Sequence, residues 1–233
     1  MARLPFDSRP LRVELAQPGQ DVYHNRYEAG RRLARDLSKY RRRKTLLILA
    51  VSVQGVEVAL PVAESLRAPL DLVISQLLPI PEQPQSSFGA VVEDVVVLDD
   101  GLLRLWGLGP EQVGHIAADV WDEARHRMQF LRGDRPPPDV RGRTVIVTDD
   151  GLAIGFPILA AIEWVLKRQP RDVIVAIPVA PRHEIERLIP LVSEVVCPIQ
   201  RDTWSLSIAA FYGLWQVPSD EKIARLLRQP SDH

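Results

Sequence analysis

Thr144–Phe156 reads TVIVTDDGLAIGF: a short apolar run, two adjacent carboxylates, and two glycines separated by three apolar residues. Thr144–Val147 predicts a strand covered on both faces, as in a parallel sheet. Phe156–Lys167 carries apolar side chains at helical spacing. Between them lies a strand-to-helix loop, and in open α/β sheets such loops, beyond the carboxyl ends of the strands, are where ligands sit. Asp149 and Asp150 are ill placed for a core and well placed to accept hydrogen bonds from a vicinal diol or to approach a metal-bound sugar. Gly151 and Gly155 allow a tight turn and a close backbone approach. The helix behind them offers unpaired amides to an anion. Gly151, Leu152, Ala153, Ile154, Gly155 and Phe156 are therefore the candidate phosphate cradle, and a diol read beside a phosphate describes a ribose 5-phosphate. The plainer reading is a solvated turn, where Asp and Gly are ordinary residues.

Working outward, the same alternation of apolar strand and amphipathic helix repeats. Asn25 predicts an N-cap for a helix over 26–40, followed by the cationic run Arg41–Lys44, read as a solvated helix end. Thr45–Val51 (TLLILAV) is a strand, Ser52-Val53-Gln54-Gly55 a turn, and 56–66 a helix. Asp71–Leu78 is a strand, Pro79–Ser87 is too rich in proline for regular structure, and Glu93–Leu98 is an edge strand or hairpin arm turned by Asp99-Asp100-Gly101. A helix starts at Gly109-Pro110 and carries an apolar stripe to Leu131, and Arg135–Asp139 (RPPPD) is a stiff connector. Strand 172–178, helix 182–189 and strand 194–197 complete the pattern. The expected fold is α/β, a doubly wound, mostly parallel sheet with right-handed crossovers. The organisation reads as one domain over 1–233, with an arm at 1–22, a small hood segment at 79–100 and an inserted helix at 110–132.

The chain has 233 residues and a formal net charge of −1, which offers no bulk attraction to nucleic acid or to an acidic membrane. Cys197 is the only cysteine, which excludes an internal disulfide and suits a reducing compartment. It reads as a small buried residue at a strand end. No apolar stretch is long enough to span a membrane or to act as a signal sequence, so the expected location is the cytoplasm. His24, His115, His126, His183 and His233 lack metal-ligand spacing, and no directly ligated metal is expected. Trp204, Phe211, Tyr212 and Trp215 recur at helical spacing and read as core or interface residues, with a lid stacking on a base as the alternative. Arg132 and Arg135 read as solvated arginines within reach of a phosphate.

Several stretches together carry a family resemblance: Tyr27–Leu37 (YEAGRRLARDL), Ala68–Val73 (APLDLV), Phe88–Val91 (FGAV), Arg132–Asp150 running into Gly151–Ile162, and Val175–Pro181 (VAIPVAP). In order, from about residue 24 to 228, they resemble the bacterial phosphoribosyltransferase-like proteins of the type I phosphoribosyltransferase family. The resemblance implies that Asp149 and Asp150 bind the ribose hydroxyls of phosphoribosyl pyrophosphate and that Gly151–Pro157 cradles its 5-phosphate. It also implies Mg²⁺ travelling with that donor, and transfer to a nucleobase-type acceptor.

Departures fall on positions the chemistry uses. Ile154 and Pro157 stand where the family has hydroxyl residues, and Pro157 also lacks an N–H. Val53 and Gln54 replace the arginine and first glycine of the pyrophosphate turn Ser52–Gly55, and Ser75-Gln76-Leu77 replaces a basic strand end. Pyrophosphate is a polyanionic leaving group whose developing charge needs preorganised cations. These substitutions predict impaired turnover of phosphoribosyl pyrophosphate. Three functions follow: a transferase, a non-catalytic descendant binding a nucleotide or ribose phosphate, and a scaffold retaining only the fold, which would be a homodimer.

Overall fold

The computed structural model describes residues 2–4, 13–14 and 22–228, so most of the arm 1–22 lies outside the described residues. In chain order the elements are β1 (Ala2–Leu4), β2 (Val13–Glu14), α1 (Arg26–Asp36), β3 (Leu46–Ala50), α2 (Gly55–Leu66), β4 (Leu70–Leu72), β5 (Gln76–Ile80), β6 (Gln83–Val92) and β7 (Val95–Asp99). They continue as α3 (Asp100–Leu105), α4 (Pro110–Arg132), β8 (Thr144–Thr148), α5 (Phe156–Lys167), β9 (Asp172–Ala176), β10 (Val179–Pro181) and α6 (Arg182–Leu188). The chain closes with β11 (Glu194–Val196), β12 (Ile199–Arg201), β13 (Ser205–Leu206) and α7 (Asp220–Arg228).

The central sheet runs β11-β9-β8-β3-β4 with every neighbouring pair parallel. Its strands are apolar at nearly every position because both faces are covered. Leu47, Leu49 and Val51 share one core with Ile158, Leu159 and Ile162 of α5. Leu46, Ile48 and Ala50 point the other way, into a core shared with Leu33 of α1, Val58 of α2 and Ile223 of α7. Truncating Ile48 or Leu49 to alanine is expected to cost about 2–5 kcal/mol. Gly30 lets α1 close onto α2, since a Cβ there would strike the Val58 carbonyl.

Strand order sets the site. From β3 the chain passes through α2 to β4 at one edge, and from β8 through α5 to β9 on the other side. The winding therefore reverses between β3 and β8, which is where a crevice opens in doubly wound folds. Ala50 pairs with Thr148, so both strands end level and their loops emerge side by side.

A second sheet, β1-β7-β6-β5, packs against α5, while α4 lies along β5 and β6. Here several expectations fail. The apolar run 71–78 changes sheets between Leu72 and Gln76, a switch that unbroken hydrophobicity conceals. Pro79–Ser87 forms most of a hairpin instead of an irregular stretch: Pro79 lies on the edge strand β5, where a missing N–H is tolerated, and the register shifts around it. Asp99 does not close a turn. It caps α3, Oδ1 accepting from Leu102 N at 2.9 Å, and the tight turn falls at Glu93, whose φ is +48°. Strand 172–178 stops at Ala176, and Val179–Pro181 pairs with β12 in a separate ribbon. The first helix ends at Asp36 and gives way to a 3₁₀ turn, Ser38–Tyr40. Phe211 and Tyr212 are buried, but their segment is a 3₁₀ turn followed by extended chain, with no α-helical spacing.

Candidate functional site

The two loops from β3 and β8 meet through one side chain. Ser52 Oγ accepts from Gly55 N at 2.9 Å, satisfying an orphan amide at the start of α2, and donates to Asp149 Oδ1 at 2.5 Å. Asp149 Oδ1 also accepts from Asp150 N at 2.9 Å. Gly55 is glycine for a reason unrelated to phosphate: a Cβ there would lie 2.7 Å from Asp149 Oδ1.

Asp150 is anchored from the other side. Arg26, the first residue of α1, donates from Nε to Asp150 Oδ2 at 2.8 Å. Its Nη1 donates to Gln216 O at 2.6 Å and lies 3.5 Å from Glu57 Oε2. The Trp215 ring covers the guanidinium at 4.0 Å, and Tyr212 Oη donates to the Asp150 carbonyl at 2.5 Å. Asp149 and Asp150 keep only 8% and 7% of their surface. Burial pushes both carboxyls upward, and the charge of Asp150 lifts Asp149 further. Ser52 and Arg26 act in the opposite sense on Asp149 and Asp150 respectively. Among the described residues, Asp149 Oδ2 and Asp150 Oδ1 hold no hydrogen bond, so each carboxylate presents one uncommitted oxygen. Two such oxygens on adjacent residues suit the two hydroxyls of a vicinal diol.

The rest of the loop follows the helix start. Leu152 N is bound to Val179 O at 2.9 Å, while the amides of Ala153, Ile154, Gly155 and Phe156 find no backbone carbonyl among the described residues. Ile154 is 46% exposed, and its side chain brings no donor. Gly151 lies beneath Ile208, whose Cγ2 would sit 2.7 Å from an added Cβ. Gly155 faces the buried Glu184 carboxylate, which is matched by Arg187 Nη1 at 3.1 Å. In the turn after β3, Val53 is buried, and the four residues Ser52–Gly55 contribute no cation.

Other sequence candidates fall elsewhere. Arg132 is not solvated: it staples the end of α4 to β4, pairing with Asp71 at 3.1 Å and donating to Leu72 O at 2.6 Å. Arg135 Nη1 donates to Leu227 O at 2.6 Å. Burial pushes the Cys197 thiol up to about 12, which leaves it no nucleophilic role near neutrality. His115 and His126 are exposed on α4. No group of three or more His, Cys, Asp or Glu gathers as a metal site among the described residues, and no helix among them is long and apolar enough to cross a membrane.

Arg26 and Glu184 escaped the sequence reading, and Tyr212 and Trp215 entered it without any link to the acidic pair. Arg26 did leave a trace: a cation at the first position of a helix opposes the macrodipole, which marks it as answering a nearby anion.

A strand-to-helix loop with an acidic pair, set at the reversal point of a doubly wound sheet, has a counterpart among known families. Residues 19–212 match the family model of the phosphoribosyl transferase domain. The chain belongs to that family. It is 31% identical over 212 residues to two Mycobacterium tuberculosis proteins named provisionally as phosphoribosyl transferases, MT0597 of strain CDC 1551 / Oshkosh and Rv0571c of strain ATCC 25618 / H37Rv. The match covers 91% of this chain and 48% of each relative, so the chain spans about half the length of the curated relatives it matches. The crystal structure of TT1426 from Thermus thermophilus superposes with a TM-score of 0.72 at 31% identity, covering 88% of this chain and 97% of that one. The domain therefore has the fold of a phosphoribosyl transferase.

Proposed function

We propose that this phosphoribosyl transferase domain binds a ribose 5-phosphate group, as the free sugar phosphate, a mononucleotide or phosphoribosyl pyrophosphate, and displaces pyrophosphate poorly or not at all. The observation that carries the binding half is the anchoring of the acidic pair. Ser52 and Arg26 each hold one carboxylate oxygen, which fixes the second oxygens of Asp149 and Asp150 for the ribose hydroxyls. Such preorganised acceptors cost little ordering on binding. The amides of Ala153–Phe156 at the start of α5 then receive the phosphate.

Weak turnover is supported by what surrounds the loop. Ile154 and Pro157 withhold donors, and each hydrogen bond to a charged group is worth about 1.5–3 kcal/mol. Glu184 sets a buried carboxylate against Gly155, beside the phosphate. Val53 and Gln54 leave the pyrophosphate turn without a cation, so the leaving group's charge has no partner there.

Thermal shift with ribose, ribose 5-phosphate, inorganic phosphate and adenosine monophosphate tests binding. Stabilisation by the two ribose phosphates, lost in Asp150→Asn, is expected. A shift of equal size with inorganic phosphate would remove the ribose reading. Pyrophosphate release from phosphoribosyl pyrophosphate with a panel of nucleobases tests the second half, and rapid release with any base would overturn it.

A further inference from the structure

At the acidic pair of this chain a Mg²⁺ would have to compete with the ribose hydroxyls for the two oxygens left uncommitted, Asp149 Oδ2 and Asp150 Oδ1. Asp150 Oδ2 is already held at 2.8 Å by Arg26, and Asp149 Oδ1 by Ser52 at 2.5 Å. Arg26 is 3% exposed and stands between two acids, Asp150 at 2.8 Å and Glu57 at 3.5 Å, with Asp149 close enough to feel its charge. Trp215 covers its face at 4.0 Å, a contact a delocalised guanidinium makes and a hydrated ion does not. Lys222 Nζ neutralises the other oxygen of Glu57 at 2.5 Å. Among the described residues Arg26 Nη2 is buried with no acceptor, an unsatisfied donor on a charged group.

We propose that Arg26 is the resident cation of this site: it takes the place of a divalent ion at the acidic pair, and the domain binds its ribose phosphate without metal. The proposal rests on the ribose phosphate reading above. Arg26 has three separable tasks. It keeps Asp150 charge-compensated, fixes the free Asp150 Oδ1 toward the ribose, and offers Nη2 to a ligand oxygen. A fixed internal cation also explains why the turn Ser52–Gly55 can be neutral without leaving the acidic pair uncompensated, since a positive charge reaches it from α1.

Two measurements on the full chain test this separately from the ligand reading. Calorimetric titration with ribose 5-phosphate is run in chelator and in Mg²⁺. Wild type is expected to bind equally in both. Arg26→Gln is expected to bind about ten- to a hundredfold more weakly in chelator and to regain affinity with Mg²⁺, whereas Arg26→Lys keeps metal-independent binding. Tightening of wild type by Mg²⁺ of about tenfold or more would overturn the proposal. Mn²⁺ alone, followed by water-proton relaxation, needs no sugar ligand. Wild type is expected to show no Mn²⁺ site at the pair, and Arg26→Gln to gain one that Asp150→Asn removes. A Mn²⁺ site in wild type that Asp150→Asn abolishes would refute the resident cation even if ribose 5-phosphate binds. Failure of ribose 5-phosphate to bind any variant, with the Mn²⁺ pattern as expected, would instead sink the ligand reading and leave Arg26 as the cation.

Discussion

Replacing Asp149 by asparagine should stabilise the domain above neutral pH while abolishing ribose binding. The Asp149 carboxyl is pushed from 3.8 to about 7, first by burial and then by the neighbouring charge of Asp150. In the unfolded chain the group ionises near its ordinary value, so between these two values the folded state holds a proton that the unfolded state has released. Stability from this group is therefore complete below about pH 4 and is lost as pH rises toward 7. Each unit corresponds to about 1.4 kcal/mol, which sets an upper bound of about 4 kcal/mol on the loss at pH 8. Asparagine is neutral at every pH, and its Oδ1 still accepts from Ser52 Oγ and Asp150 N. Wild type and variant should thus unfold alike at pH 4 and diverge at pH 8. For a chain of this size the melting temperature of the variant should rise by about 2–4 °C per kcal/mol. Thermal unfolding followed by circular dichroism from pH 4 to 9 measures the effect. A variant less stable than wild type at pH 8, or a difference independent of pH, would refute the reasoning. A carboxylate kept at such cost suits a binding group better than a structural one.

Further outcomes follow from the same contacts. Ser52→Ala removes an amide partner at the start of α2 and a bond to a carboxylate, so denaturant unfolding should show a loss of about 1–3 kcal/mol. Gly151→Ala sets a methyl against Ile208 and should destabilise the domain, whereas Ile208→Ala in the same chain should recover much of the loss. Strict additivity of the two changes would show that loop and covering segment do not touch. Cys197 should resist alkylation by iodoacetamide in the folded protein at pH 8 and react on unfolding, with mass spectrometry reporting the adduct.

The sequence was most legible where periodicity and chemistry agree. Leu46–Ala50 and Thr144–Thr148 are buried at every position because the sheet is covered on both sides, and Pro110 opens α4 at the first helical turn. The 79–92 hairpin was obscured because Pro79 and Pro84 read as breakers. Pro79 lies on the edge strand β5, which has N–H groups to spare, and Pro84 lies where the β5–β6 register skips from Gln83 to Ser87, which only the pairing tells. The sheet change between Leu72 and Gln76 left no mark for a similar reason, since both sheets bury the same residue types.

Within the site, Asp149, Asp150 and both loops were visible because carboxylates at a strand end need an explanation. What holds them was not. Arg26 lies 124 residues from Asp150 in sequence, and Tyr212 lies 62 residues beyond it. Such long-range polar contacts have no spacing rule, and a buried arginine resembles a solvated one until its partners are known. Arg132 misled in the same way, reading as solvated while bound to Asp71 and Leu72.

The central claim is that the loop 149–156 holds a ribose phosphate between the acidic pair and the start of α5. Amide resonances of the isotope-labelled chain, followed during titration with ribose 5-phosphate, test it residue by residue. The account predicts the largest shifts at Asp149–Phe156, smaller ones at Ser52–Gly55, and a shift of the Arg26 side-chain Nε resonance. Shifts confined to the cleft of about 430 Å³ at the start of α1, among Tyr27, Leu60, Ser219 and Leu226 with the loop 149–156 unmoved, would contradict it.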